Sequence, residues 1–124
     1  MDTRRITVTA GEVEVTAVLE NTDTANLVWD ALPIDAAAST WGDEIYFSIA
    51  VIAEEDDARE TVGMGDVGFW PPGQALCLFF GPTPASRGDE IRPASPVNVI
   101  GRIDGDPRVL KAVQSSSPVS VRKS

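Results

Sequence analysis

The sequence predicts a mainly β fold, a mostly antiparallel barrel or sandwich of about eight short strands with one clear helix. Apolar residues recur at every second position in short runs, and these runs end at Gly, Pro, Asn or Asp. A barrel is favoured because a closed sheet has no open edges, which strands this rich in valine would otherwise expose. With 124 residues, 43% of them hydrophobic, the chain has the size and composition of one domain, which we place at residues 1–124.

The N-terminal part predicts a β-hairpin followed by an amphipathic helix. Apolar and polar residues alternate over residues 6–8 and 13–19, on either side of a glycine, as in two antiparallel strands joined by a tight turn. Asn21 or Thr22 can cap a helix, and Pro33 ends it. The apolar face of this helix consists of Ala25, Val28, Trp29 and Leu32.

Six later segments also have the pattern of strands: residues 34–41, 44–51, 63–68, 75–80, 97–103 and 119–121. In the second of these, Ile45 and Phe47 alternate with Glu44 and Tyr46, so the two pairs point to opposite faces of the sheet. Residues 75–80 are apolar at every position, and both faces of that strand therefore need cover. We expect Phe47, Phe69 and Phe79 to fill the barrel. Asp106 and Pro107 can open a second, short helix.

The residue content excludes several kinds of chemistry. The chain has no histidine, which removes Ser-His-Asp and Cys-His catalysis and the usual zinc ligands. Residues 63–68 match the spacing G-x-G-x-x-G, but Pro71 and Pro72 follow where a dinucleotide-binding motif needs a helix. Cys77 lies inside the apolar run ALCLFF, where a buried, inert thiol is expected. We predict neither a metal site nor a cofactor.

The charge of the chain restricts its partners. Nineteen acidic residues against ten basic ones give a formal net charge of −9, which repels nucleic acids and anionic membranes. The acidic run at residues 54–57 is expected on a solvated loop, since it lacks the spacing and the turn glycine of an oxygen-ligand metal loop. No apolar run approaches the roughly 20 residues that span a bilayer, and no apolar segment follows Arg4 and Arg5 as a signal peptide requires. We therefore expect a cytoplasmic protein.

A cluster of aromatic and polar residues is the candidate functional site. Strand alternation sends Tyr46 and Phe47 to opposite sides, so the aromatic rings of the chain cannot all lie in one core. The outward rings need a cover, either from the protein or from a ligand. Residues 81–96 contain four prolines and two glycines and are expected to form one long surface loop, a length that is often functional.

Three segments of the chain resemble cyclophilins. These are TANLVWDALP (24–33), GDVGFWPPGQALCLFF (65–80) and VNVIGRIDGDPRVLKAV (97–113), and together they cover roughly half of the chain. The segments TWGDEIYFS, GDVGFWPPGQALCLFFGPTP and PASPVNVIGRI resemble, more closely, a small family of bacterial and archaeal cyclophilin-like proteins of uncharacterised function. The resemblance implies a closed, eight-stranded, antiparallel cyclophilin-like β-barrel, capped by one or two short helices.

The same resemblance implies that prolyl isomerase activity is weak or absent. Isomerases of this fold use an arginine on the strand after the first helix, and the matching residues 39–44 contain none. The usual histidine and loop tryptophan of the groove also have no counterpart in residues 81–96. An ionised Glu44 has no donor for the prolyl amide nitrogen, and Arg87 or Arg92 can replace the arginine only if their loop folds over the groove.

The functional expectation is a binding module for a small molecule or short peptide, with a cationic or amphipathic ligand favoured. A weak or atypical peptidyl-prolyl isomerase and a structural, oligomer-forming protein remain the alternatives, and the oligomeric state is open. Trp70, held by the diproline, and Phe80 are expected to border the groove. The candidate ligand-binding residues are Trp41, Glu44, Tyr46, Trp70, Gln74, Leu78, Phe80 and Arg92.

Overall fold

The computed structural model describes residues 4–124, so residues 1–3 of the predicted domain lie outside the described part. It contains nine strands and one α-helix, α1, within these residues. In chain order the elements are β1 (Arg4–Ala10), β2 (Val13–Leu19), α1 (Asp23–Ala31), β3 (Ile34–Ala37), β4 (Ser39–Thr40), β5 (Glu44–Ser48), β6 (Asp66–Trp70), β7 (Ala75–Phe79), β8 (Asn98–Asp104) and β9 (Pro118–Lys123). Short 3-10 helices lie at Pro71–Gly73 and Pro107–Ala112.

All nine strands belong to one antiparallel sheet that forms a nearly closed barrel. The strand order is β3-β9-β1-β2-β8-β6-β7-β5-β4, and every named pair is antiparallel. The two end strands, β3 and β4, are neighbours in the chain, which brings the ends of the sheet together. The predicted mainly antiparallel barrel is therefore confirmed, with nine strands in place of eight.

The additional strand arises where the chain changes partner at Ala38. The backbone of Ala38 exchanges hydrogen bonds with Ser117 and Ser116, just before β9. One residue later the chain pairs with β5 instead, with Ser39 opposite Tyr46. The predicted single strand at 34–41 is thus divided into β3, which pairs with β9, and β4, which pairs with β5. This change of partner is the corner that nearly closes the barrel.

The hairpin and the helix form as the local sequence predicts. β1 and β2 pair around Gly11, whose φ of 59° is readily adopted by glycine. Thr22 is the N-cap of α1, and its side-chain oxygen accepts a hydrogen bond from the Ala25 backbone N–H at 3.1 Å. Ala25 and Val28 are fully buried against the barrel. Burial of this face stabilises α1, because an isolated helix of nine residues would have only marginal stability in water.

Two long connections lie on the outside of the barrel, at residues 49–65 and 81–96. They are tied to each other and to the start of β8 by isolated bridges, Val62 with Ile91 and Arg59 with Val97. The acidic run 54–57 is exposed, as predicted. Beneath it the buried Asn98 accepts a hydrogen bond from the Asp56 backbone at 2.9 Å and donates one to the Glu54 carbonyl oxygen at 2.9 Å. The connection 49–65 is therefore anchored on β8.

The apolar interior is divided between the two faces of the sheet. The larger cluster fills the barrel and contains Phe47 and Phe69, as expected. A smaller cluster of Cys77, Phe79, Ile91 and Val97 lies on the outer face of β6 and β7. Every residue of β7 is buried, which confirms that this strand is covered on both sides. The cover of its outer face comes from the loop 81–96 and from Val97.

Candidate functional site

A cavity of about 250 Å³ lies on the outer face of the barrel, between the start of β5, the end of β6 and the loop 81–96. Its wall is mostly apolar, with one charged side chain. The lining residues are Trp41, Glu44, Tyr46, Trp70, Pro93, Ala94 and Val97. Four of the eight candidate residues from the sequence therefore meet at one cavity.

The first part of the wall is built by strand β5 and the turn before it. Alternation along β5 buries Ile45 and Phe47 in the barrel and leaves Glu44 and Tyr46 on the outer face. The backbone N–H of Trp41 donates to the Glu44 carbonyl oxygen at 2.9 Å, which closes the turn between them. The side chains of both residues line the cavity.

The second part of the wall is the ring of Trp70, which is held on both sides. Its Nε1–H donates to the Ser95 Oγ atom at 2.6 Å, which joins the end of β6 to the loop. On the other side the ring packs against Gly73, where an added Cβ would lie 2.5 Å from the ring carbon Cζ3. Pro71 and Pro72 start the 3-10 helix that brings Gly73 beneath the ring. Gly73 and Ser95, which the sequence did not single out, are the residues that contact the ring.

The third part of the wall comes from the loop 81–96, which folds back on itself through two hydroxyl groups. Thr83 Oγ1 donates to the Arg92 carbonyl oxygen. Ser86 Oγ accepts the backbone N–H groups of Thr83 at 2.9 Å and of Arg92 at 3.1 Å. These bonds fix the chain just before Pro93 and Ala94, which line the cavity. The length and proline content of the loop were the sequence signals for this wall, but they did not identify its contact residues.

Two of the predicted site residues, Leu78 and Phe80, lie in the barrel core instead of the cavity. The register of β7 explains the error. Residues directly opposite each other in an antiparallel pair share a face. Leu78 is opposite Ile45, which points inward, whereas Cys77 is opposite Tyr46, which points outward. The expected positions of Phe79 and Phe80 are consequently reversed, with Phe79 in the outer cluster.

Two predicted polar anchors, Gln74 and Arg92, are also absent from the cavity wall. Gln74 is exposed and ends the 3-10 turn in a left-handed conformation with φ of 49°. Arg92 turns back to Glu90, with Nε 2.6 Å from Oε2. Because the Arg92 guanidinium binds Glu90 on the same loop, it does not reach the cavity. The loop covers the cavity with Pro93 and Ala94 instead.

Glu44 is the charged group of the cavity, and it is buried, with 5% of its surface exposed. None of the ten lysines and arginines, all of which lie within residues 4–124, forms an ion pair with it. Burial raises the pKa of Glu44 from its ordinary 4.5 to about 7, and a hydrogen bond from the Cys77 thiol lowers it in part. Glu44 thus changes charge near neutral pH.

The Cys77 thiol lies on the outer face of β7, in the cluster beneath the cavity. Burial raises its pKa well above the ordinary 9.0, and the charge of Glu44 raises it further. The Sγ atom is 3.8 Å from the Ala75 carbonyl oxygen, a long contact. We take Glu44 as its principal acceptor because hydrogen bonds to an ionised group are stronger. The raised pKa keeps the Cys77 thiol in its neutral form.

The described chain belongs to the cyclophilin-like family, whose model matches residues 4–122. It is similar to a hypothetical protein from Archaeoglobus fulgidus with a known solution structure. The two share 41% sequence identity and a TM-score of 0.84, over 98% of this chain and 95% of the other. No curated protein matches the chain. Within residues 4–124, no helix has the length and apolarity needed to cross a membrane.

Proposed function

We propose that this protein is a binding module that holds a small molecule, or one side chain of a short peptide, in the cavity between Trp41 and Trp70. The observation that carries this proposal is a buried carboxylate in an apolar, aromatic wall. An ion in such a place is costly unless a partner compensates it. Glu44 has no basic partner among residues 4–124. A bound cationic or amphipathic ligand would therefore supply the compensating positive group that the chain does not.

The size of the cavity supports a small ligand or a single side chain. Sites for drug-sized molecules usually measure roughly 300–1,000 Å³, and this cavity measures about 250 Å³. The wall is preorganised, because the Trp70 ring is fixed by Ser95 and Gly73. A fixed wall reduces the entropy lost on binding.

Tryptophan fluorescence tests this function directly. Trp29 lies on α1 near Lys123, away from the cavity, so the variant Trp29→Phe isolates the emission of Trp41 and Trp70. We expect titration with a panel of cationic metabolites and short peptides to change this emission with a saturating dependence on ligand concentration. The variant Ala94→Leu, which adds bulk at the cavity wall, should weaken the response. The matched change Ala112→Leu, at an exposed position outside the wall, should not.

Prolyl isomerisation is the alternative function, and the pKa of Glu44 is the observation that favours it. With a pKa of about 7, part of the Glu44 population is protonated at neutral pH, and a protonated carboxyl can donate to a prolyl amide nitrogen. NMR exchange spectroscopy on a proline peptide tests this. The alternative predicts faster exchange at pH 6 than at pH 8, and no such pH dependence in Glu44→Gln, which keeps a donor throughout. Exchange equal to that of the free peptide at both pH values would exclude it.

A further inference from the structure

The aromatic residues of the cavity wall are three of the four Trp and Tyr residues in the chain, namely Trp41, Tyr46 and Trp70. The fourth, Trp29, interacts with cations of the protein itself, with Lys123 Nζ 4.6 Å and the Arg4 guanidinium carbon 5.8 Å from its ring centroid. Faces of Trp and Tyr rings attract cations because the ring quadrupole is negative there. Within residues 4–124, no basic side chain lines the cavity.

We propose that the group bound in this cavity is a quaternary ammonium ion, held among the rings of Trp41, Tyr46 and Trp70 and against the carboxylate of Glu44. This inference rests on the proposed binding function and names the class of ligand that the site selects. An anionic ligand is excluded by the buried Glu44 and by the net charge of −9. A neutral ligand would leave the buried carboxylate, in its ionised form, without a compensating charge.

The mostly apolar side chains of the wall favour a quaternary over a primary ammonium. A primary ammonium carries three N–H donors, each of which needs an acceptor when it is buried. The acceptor side chains of the wall are Glu44, whose carboxylate already accepts from the Cys77 thiol, and Tyr46, whereas Pro93, Ala94 and Val97 have apolar side chains. A quaternary ammonium has no N–H group and leaves no donor unsatisfied.

Binding of such a cation should be linked to the protonation of Glu44. The titratable groups that face this carboxyl are Cys77 on β7 and Tyr46 on the same strand, while the loop presents uncharged Pro93 and Ala94. A bound cation stabilises the ionised carboxylate, and so it competes with the proton. We expect the dissociation constant to rise as the pH falls below about 7, approaching tenfold per pH unit.

The test compares choline and tetramethylammonium with 3,3-dimethylbutan-1-ol, a neutral molecule of the same shape as choline. Their binding is measured by ¹⁵N NMR of the indole groups at pH 8, in wild type and in Glu44→Gln. We expect choline to bind wild type at least about tenfold more tightly than the alcohol, and we expect Glu44→Gln to remove that preference.

The outcomes separate this inference from the proposed function. Equal affinity for choline and the alcohol, or an unchanged choline affinity in Glu44→Gln, would overturn the cation proposal and leave an apolar binding site. If neither choline nor the alcohol binds but other members of the ligand panel do, the quaternary ammonium proposal is overturned and the binding function stands. If no compound in either set perturbs Trp41 or Trp70, both the cation proposal and the binding function are wrong. The native spectrum of Glu44→Gln controls for folding.

Discussion

Trp70 Nε1 donates a hydrogen bond to Ser95 Oγ at 2.6 Å, and this bond joins the barrel to the loop that covers the cavity. The variant Ser95→Ala removes the acceptor and leaves the indole N–H partly buried without a partner. We expect the free energy of unfolding to fall by about 1 kcal/mol and ligand affinity to fall with it, because the ring is no longer fixed. Ser95→Thr keeps a hydroxyl and should restore both. Chemical denaturation and fluorescence titration measure the two effects, and a ligand affinity unchanged in Ser95→Ala would show that this bond does not organise the site.

Gly73 sets the position of the Trp70 ring from the other side. A Cβ at residue 73 would lie 2.5 Å from the ring, so Gly73→Ala should displace the indole and break its bond to Ser95. We expect a loss of about 1 kcal/mol in the free energy of unfolding, a shifted Trp70 indole resonance and weaker ligand binding. The matched control is Gly63→Ala, where the nearest atom to an added Cβ is 3.5 Å away. An indole resonance that stays in place in Gly73→Ala would contradict this account of the ring.

Glu44 should make the stability of the protein depend on pH. Its folded-state pKa, about 7, lies above its ordinary 4.5, so between these pH values the folded chain holds a proton that the unfolded chain has released. The contribution of Glu44 to the free energy of unfolding therefore falls as the pH rises through this window, by up to about 3 kcal/mol. Below pH 4.5 and above pH 7 it changes little.

The variant Glu44→Gln isolates this contribution because its side chain stays neutral. We expect Glu44→Gln to gain stability over wild type progressively from pH 4.5 to pH 7, as measured by urea denaturation at several pH values. Glu12→Gln, at an exposed position, is the matched control and should follow wild type. Parallel curves for Glu44→Gln and wild type would show that the carboxyl is not desolvated.

Cys77 should resist alkylation in the folded protein. It is 2% exposed, and burial together with the nearby Glu44 raises the pKa of its thiol, so the reactive thiolate is suppressed. We expect mass spectrometry to show almost no carbamidomethylation after incubation with iodoacetamide at pH 8, and complete modification in concentrated guanidinium chloride. Rapid labelling of the native protein would mean that the outer cluster opens readily.

The alternation of apolar and polar residues along β5 was sufficient to predict which side chains of this strand point toward the site. In this strand the apolar and polar residues occupy different faces, so the position of Phe47 in the barrel also determines the outward direction of Glu44 and Tyr46. In β7 both faces are apolar, and periodicity alone does not say which one is inward. The pairing of Tyr46 with Cys77, a contact between distant parts of the chain, decides it.

The loop 81–96 marks the limit of what the sequence predicts about the site. Its existence follows from its prolines and glycines, but its path depends on two hydrogen bonds at Arg92. Thr83 donates one to the Arg92 carbonyl oxygen, and the Arg92 backbone N–H donates the other to Ser86 Oγ. Those bonds bring Pro93 and Ala94 to the cavity and leave Arg92 with Glu90. Side-chain contacts of this kind have no periodic signature. The loop residues of the wall were therefore missed, and the arginine was assigned to it wrongly.

The most direct test of a ligand site at this cavity is an NMR titration of the three indole N–H groups in ¹⁵N-labelled protein with the panel of cationic small molecules and peptides. The account predicts that at least one ligand shifts the Trp41 and Trp70 resonances with saturation and leaves Trp29, which lies beside Lys123, in place. Indole resonances that stay unchanged across the whole panel, or a ligand response confined to Trp29, would contradict it.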